Sequence, residues 1–171
     1  MDEKNTSGVK ISPTQTSDLA DLIRLWNDGR VMRWVGFPDG LGYDNKGVVE
    51  WFSAVKSKPD CHHFVIRDVE QGFCGELYYE IDSSHHMASL DIKLVPEAQE
   101  KGIATQAFDH LIDIVFQSEP DVESVWVEPW PDNKAAQRLY RRCGMSQRPR
   151  PVHLGEGPSY WELLRSEWST G

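Results

Sequence analysis

Cysteine is scarce in this chain and shows no pairing pattern. Only Cys61, Cys74 and Cys143 occur, an odd number without a CxxC spacing. A disulfide framework or a zinc ribbon is therefore not expected. Positive charge is also in deficit, with 18 Lys and Arg against 27 Asp and Glu, a formal net charge of −9. That balance argues against a nucleic-acid partner, which needs a basic face. It is compatible with a cationic partner such as an amine. No apolar run approaches the roughly 18–20 residues of a membrane span. The start, MDEKNTSGVK, is polar and has no apolar signal region. Internal repeats and low-complexity linkers are absent, and so are the GxxxxGK[ST] and GxGxxG phosphate loops. These absences lead us to expect a cytoplasmic protein with no membrane and no nucleic-acid partner.

What is present suits one globular domain over residues 1–171, with the polar residues 1–7 expected to be flexible. Hydrophobic content of 39% and aromatic content of 11% support a real core. Residues 8–14 read as a first strand, and residues 18–31 as a helix with Leu19, Leu22, Ile23, Leu25 and Trp26 at helical spacing. A Gly- and Pro-rich loop follows at 36–42, then a second helix at 44–57. Strands are expected at 62–68, 72–82 and 87–95. After Pro96 the period changes. Ile103/Ala104, Ala107/Phe108, Leu111/Ile112 and Val115/Phe116 recur every four residues, the mark of a helix with one buried stripe. A strand at 124–129 precedes a helix at 132–144. Asp132 or Asn133 can cap that helix and Gly144 can end it. Residues 159–168 close the chain as a strand with a helical turn. The order is β-αα-βββ-α-β-α-ββ, a mixed α/β (α+β) single domain.

The stretch PEAQEKGIATQAF, residues 96–108, lacks a good helix cap, since no Ser, Thr, Asp or Asn lies between Asp91 and Thr105. A helix start leaves about four N–H groups unpaired. Together with the positive helix end, these groups suit an anion. Gly102 and Ala104 are small enough for a phosphate to approach, and Lys101 adds charge. An ordinary uncapped helix start is the other reading.

QEKGIA, residues 99–104, resembles the Gln/Arg-x-x-Gly-x-Gly/Ala signature of the GNAT acetyltransferases. VEPWPDNKAAQRLYRRCGM, residues 127–145, is similar to that family's second motif, in which Asn, an Ala pair and a Tyr lead to a Gly. The resemblance covers about residues 8–168. It implies the GNAT fold, a mostly antiparallel, twisted sheet splayed at the cofactor cleft. It implies acetyl-CoA as co-substrate, no metal, and direct attack by a primary amine in a ternary complex. By the same resemblance the backbone of Ile92, Lys93, Leu94 and Val95 pairs with the pantetheine arm. Gln99, Glu100, Lys101, Gly102, Ile103, Ala104 and Thr105 form the pyrophosphate loop. Asn133, Ala136 and Tyr140 line the cofactor from the second motif. A homodimer is common in the family, and nothing in the sequence specifies one.

Tyr140 matches the family's tyrosine acid, with a satisfied core tyrosine as the alternative. Glu128 leads as the general base, with Glu76, Glu80, Asp82 and Asp91 also open, and water in place of an acid. The amine is expected near Trp26, Trp34, Phe37 and the 36–42 loop, with Glu76, Glu80 and Asp91 as acids behind it. EPWPDN, residues 128–133, is similar to the Asp-Pro-x-Pro-x-Asn of aminoglycoside 6′-N-acetyltransferases, although the preceding unit is one residue shorter after Asp91. Ribosomal-protein N-terminal acetyltransferases share the framework. A non-catalytic acyl-CoA-binding module on the same fold is a third reading. Two His-His pairs, at 62–63 and 85–86, do not suggest a metal, because adjacent strand side chains point to opposite faces. Cys74 reads as a small core filler.

Overall fold

A computed structural model describes residues 8–169. The expectation for residues 1–7 lies outside these. Seven strands form one sheet in the order β1-β2-β3-β4-β5-β7-β6. They are β1 (Val9–Pro13), β2 (Cys61–Asp68), β3 (Gly72–Asp82), β4 (Met87–Leu94), β5 (Ser124–Val127), β6 (Ser146–Gln147) and β7 (Trp161–Leu164). Every pairing is antiparallel except β4 with β5. The helices are α1 (Leu19–Trp26), α2 (Gly29–Met32), α3 (Asn45–Lys56), α4 (Ile103–Ser118) and α5 (Lys134–Arg142). The element order matches the sequence reading apart from one break.

That break splits the helix expected at 18–31. Helix α1 ends at Trp26, and Asp28 then caps the separate turn α2 by accepting from the Arg30 N–H. Asn27 explains the interruption. Its side chain donates to the Tyr43 carbonyl and accepts from the Tyr43 N–H, at 2.9 and 2.7 Å. A local polar side chain has thus replaced helix continuation with a clamp on the incoming loop.

Helix α4 buries the predicted stripe, namely Ile103, Ala107, Phe108, Leu111, Ile112, Val115 and Phe116. Each large side chain there contributes about 1.5–3 kcal/mol before entropy is counted. Helix α4 packs on β1, β3 and β4, whereas α1 and α3 cover the sheet at β3 and β2. Alternation along β3 therefore sends Leu77 and Tyr79 into the core and leaves Glu76 on the α1 side, where it meets Trp26.

The sheet carries two irregularities. Register between β2 and β3 shifts so that Ile66 faces Gly75 while Arg67 faces Phe73, leaving Cys74 as an extra residue. Gly75 is needed there, because a Cβ would lie 2.0 Å from the Lys93 carbonyl oxygen. The second irregularity is at β4 and β5. Their parallel ladder covers only Met87–Ser89 against Ser124–Trp126. Beyond Ser89, β4 continues with β3 as far as Leu94, while β5 continues with β7. The two central strands part like the arms of a V.

Candidate active site

The opening between β4 and β5 is a cleft of about 840 Å³. One wall is the backbone of β4. Val95 donates to Cys74 on the β3 side, so by strand alternation the N–H and C=O of Ile92 and Leu94 face the cleft. Two side chains reach these groups. Asp91 Oδ1 accepts from the Ile92 N–H at 2.9 Å, and Gln99 Nε2 donates to the Leu94 carbonyl at 3.1 Å.

The mouth of the cleft is the start of α4. Gly102 is the N-cap residue at φ 76°, and no side chain caps this end. The N–H groups of Ile103, Ala104 and Thr105 have no acceptor among the described residues. Glu100 also has a positive φ, 60°. Two left-handed residues so close together turn the chain sharply and present successive N–H groups outward, an anion-binding arrangement. A Cβ on Gly102 would meet nothing nearer than Gln106 Nε2 at 4.0 Å, which leaves the loop surface open.

Helix α5 forms the opposite wall. Asn133 Oδ1 accepts from the Ala136 N–H at 3.1 Å and caps the helix, as expected. Gly144 is left-handed at φ 84° and ends it. Tyr140 lines the cleft but is only 6% exposed, with its ring 5.1 Å from that of Phe108. Its hydroxyl makes no hydrogen bond among the described residues, unlike a satisfied core tyrosine. Burial, reinforced by the charge of Asp91, pushes its pKa well above the ordinary phenol value. The phenol therefore keeps its proton at neutral pH and can donate it.

Besides Glu100 in the loop at its mouth, two carboxylates line the cleft, Asp91 and Glu128. Both are held by cations. Arg150 Nη1 donates to Glu128 Oε2 at 2.7 Å. Arg150 also donates to the carbonyls of Gly155 and Ser159, at 2.9 and 3.0 Å, which folds the segment 148–160 around it. Lys93 Nζ contacts Asp91 directly and lies 3.3 Å from Glu76 Oε1. Glu76 is 4% exposed and sits beneath the cleft. Burial alone would raise its pKa. The Lys93 charge, the 2.5 Å contact with His63 Nε2 and the Trp26 N–H together hold it at about 2. For Lys93, burial is outweighed by Asp91 and Glu76, and its pKa is raised.

Most of the residues expected at the site do converge. Ile92, Lys93, Leu94, Gln99, Glu100, Gly102, Ala104, Thr105, Asn133, Ala136, Tyr140, Glu128, Asp91 and Trp34 all line the cleft. Others do not. The side chain of Ile103 is buried in the core, and Val95 belongs to the same cluster. Lys101 donates to Gln71 at 2.7 Å. Trp26 is buried as a donor to Glu76, Phe37 is exposed outside the cleft, and Glu80 accepts from the Tyr78 hydroxyl. Tyr78, Ser89, Trp126, Trp130 and Arg138 line the cleft without having been singled out from sequence. Strand alternation could have placed Tyr78 and Trp126 there, since both share the face of Asp91.

The acetyltransferase (GNAT) domain family matches residues 9–146. The chain belongs to this family, and it is an N-acetyltransferase. No curated protein matches the sequence. Solved structures share the fold at low identity. Spermidine N-acetyltransferase from Vibrio cholerae, in complex with CoA and spermine, is 21% identical with a TM-score of 0.78, covering 94% of this chain and 97% of that one. Aminoglycoside acetyltransferase AAC(6′)-Ib in complex with coenzyme A is 19% identical with a TM-score of 0.76, covering 93% and 96%. The same enzyme with ribostamycin and coenzyme A gives 19% and 0.77, covering 94% and 95%. Among the described residues, no helix is long and apolar enough to cross a membrane.

Proposed function

We propose that this chain transfers an acetyl group from acetyl-CoA to a primary amine of a small polycationic acceptor, by direct attack in a ternary complex. The observation that carries the reading is the split sheet. Its open β4 backbone meets unpaired N–H groups at one end and a protonated tyrosine on the facing helix. The Ile92 carbonyl and the Leu94 N–H, which face the cleft beside the two groups held by Asp91 and Gln99, suit an extended amide-bearing arm, paired as an added strand would be. The N–H groups of Gly102–Thr105 suit its pyrophosphate. Holding both reactants in one cleft supplies much of the rate, because a bimolecular step becomes effectively unimolecular.

Within that frame the residues have separate tasks. Tyr140 gives its proton to the departing thiolate. A carboxylate, directly or through water, takes the proton that the amine must lose. Glu128 is our first assignment and Asp91 the second, since both line the cleft. Asp91 and Glu128, with the rings of Trp34, Tyr78, Trp126 and Trp130 around them, suit a cationic amine. The complexes of structural neighbours with spermine and with ribostamycin support this acceptor class.

The test is a thiol-release assay with acetyl-CoA over a panel of polyamines, aminoglycosides and N-terminal peptides. Turnover with polyamines or aminoglycosides is expected. Turnover with peptides alone would overturn the acceptor class. Saturable acetyl-CoA binding with silence for every amine would favour a non-catalytic acyl-CoA-binding module instead.

A further inference from the structure

A second group of ligating side chains lies away from the cleft. Asp82 ends β3, His85 belongs to the turn before β4, and His153 sits in the short helical turn Val152–Leu154. One ligand atom from each lies within 4.8 Å of the other two. Asp82 Oδ2 is 2.8 Å from His85 Nδ1. The two imidazole rings lie face to face, with centroids 3.6 Å apart and planes 4° from parallel. His153 Nε2 is 3.3 Å from Met87 Sδ, so a thioether borders the same spot.

We propose that Asp82, His85 and His153 form a binding site for a divalent transition-metal ion of the zinc, nickel or copper class. The donor set selects the class. Two imidazoles and one carboxylate favour these ions over Mg²⁺ and Ca²⁺, which take oxygen ligands. The spacing is near what ligation needs. Metal–nitrogen and metal–oxygen bonds of about 2.0–2.2 Å allow ligand atoms at most about 4.4 Å apart. The pair Asp82 and His85 already meets this. Face to face, the two rings aim their lone pairs in parallel planes, so ligation requires the exposed His153 ring to rotate about its side-chain bonds towards the ion.

This site joins parts of the chain that are distant in sequence. The argument that neighbouring histidines diverge holds for the 85–86 pair, because His86 Nδ1 turns away to the Asp121 carbonyl at 3.1 Å. The partner of His85 instead comes from the 148–160 segment. That segment also carries Arg150, which holds Glu128 at the cleft. A bound ion would therefore fasten the β3–β4 turn to the segment that borders the active site.

The experiment is a calorimetric titration of the full, chelator-treated chain with Zn²⁺ alone. One ion per chain is expected. His85→Gln and His153→Gln should each weaken binding by at least the roughly 10–100-fold that losing an outer-shell partner costs, with far-UV circular dichroism unchanged because both side chains are exposed. His86→Gln should bind as the parent does. Mg²⁺ should give no heat of binding. The absence of saturable Zn²⁺ binding at millimolar concentration would overturn the site. So would binding undiminished in the His85→Gln/His153→Gln double variant.

Discussion

Arg150 and Glu128 form an ion pair at 2.7 Å across the rim of the cleft, joining the end of β5 to the segment before β7. Glu128 is thus fixed in place before any acceptor arrives. If it takes the amine proton, Glu128→Gln should lower kcat/KM by about 10²–10⁴-fold, the usual range for a lost general base. Asp91→Asn should cost less. Steady-state kinetics of the two variants decide the matter, and the reverse ranking would move the role to Asp91.

Tyr140 stands apart from three other tyrosines of the sheet region. The hydroxyls of Tyr78, Tyr79 and Tyr160 each donate to a carboxylate, at 2.8, 3.0 and 2.6 Å. That of Tyr140 has no such partner. Tyr140→Phe should therefore leave thermal stability nearly unchanged while lowering kcat about 10²-fold or more. Affinity for coenzyme A should persist, which calorimetry would check.

Gly102 permits two separate tests. Gly102→Ala meets no steric obstacle in the folded chain, so its cost is the positive φ, about 1–2 kcal/mol. Gly102→Glu adds a negative charge beside the unpaired N–H groups. It should abolish coenzyme A binding with a melting temperature close to that of the Ala variant. Retained affinity in the Glu variant would show that the stretch is only a helix start.

The buried pair beneath the cleft makes a pH prediction. Glu76 is held at about 2, below its ordinary value of 4.5. Its stabilising contribution is complete above about pH 4.5 and is lost as pH falls towards 2. Glu76→Gln should flatten the acid limb of a stability–pH curve in that window. At neutral pH it should destabilise by about 3–5 kcal/mol, since Lys93 would keep only Asp91. Urea unfolding from pH 2 to 7 measures both effects.

Much of this fold was legible because its signals are local. The stripe from Ile103 to Phe116, the Asn133 cap and the Gly144 stop are each a spacing or a single residue type. The helix break at Asn27 was not, because its cause is Tyr43, a residue that periodicity does not see. The site divides in the same way. The loop at 99–105 announces itself by a missing cap. Trp26 and Glu76 read as acceptor residues, yet they satisfy each other below the surface. Arg150, His153 and the pair of Lys93 with Asp91 depend on which distant strands and loops meet. A single sequence does not display that.

The short ladder between β4 and β5 has a consequence for solubility. Unpaired strand edges usually lie at the rim of a sheet, where another protein can add to them. Here the backbone beyond Ser89 is an edge placed inside the sheet, flanked by α5 and the start of α4. This edge lies away from the rim of the sheet, where strands of other copies would add, and Asp91 and Gln99 already cover part of it.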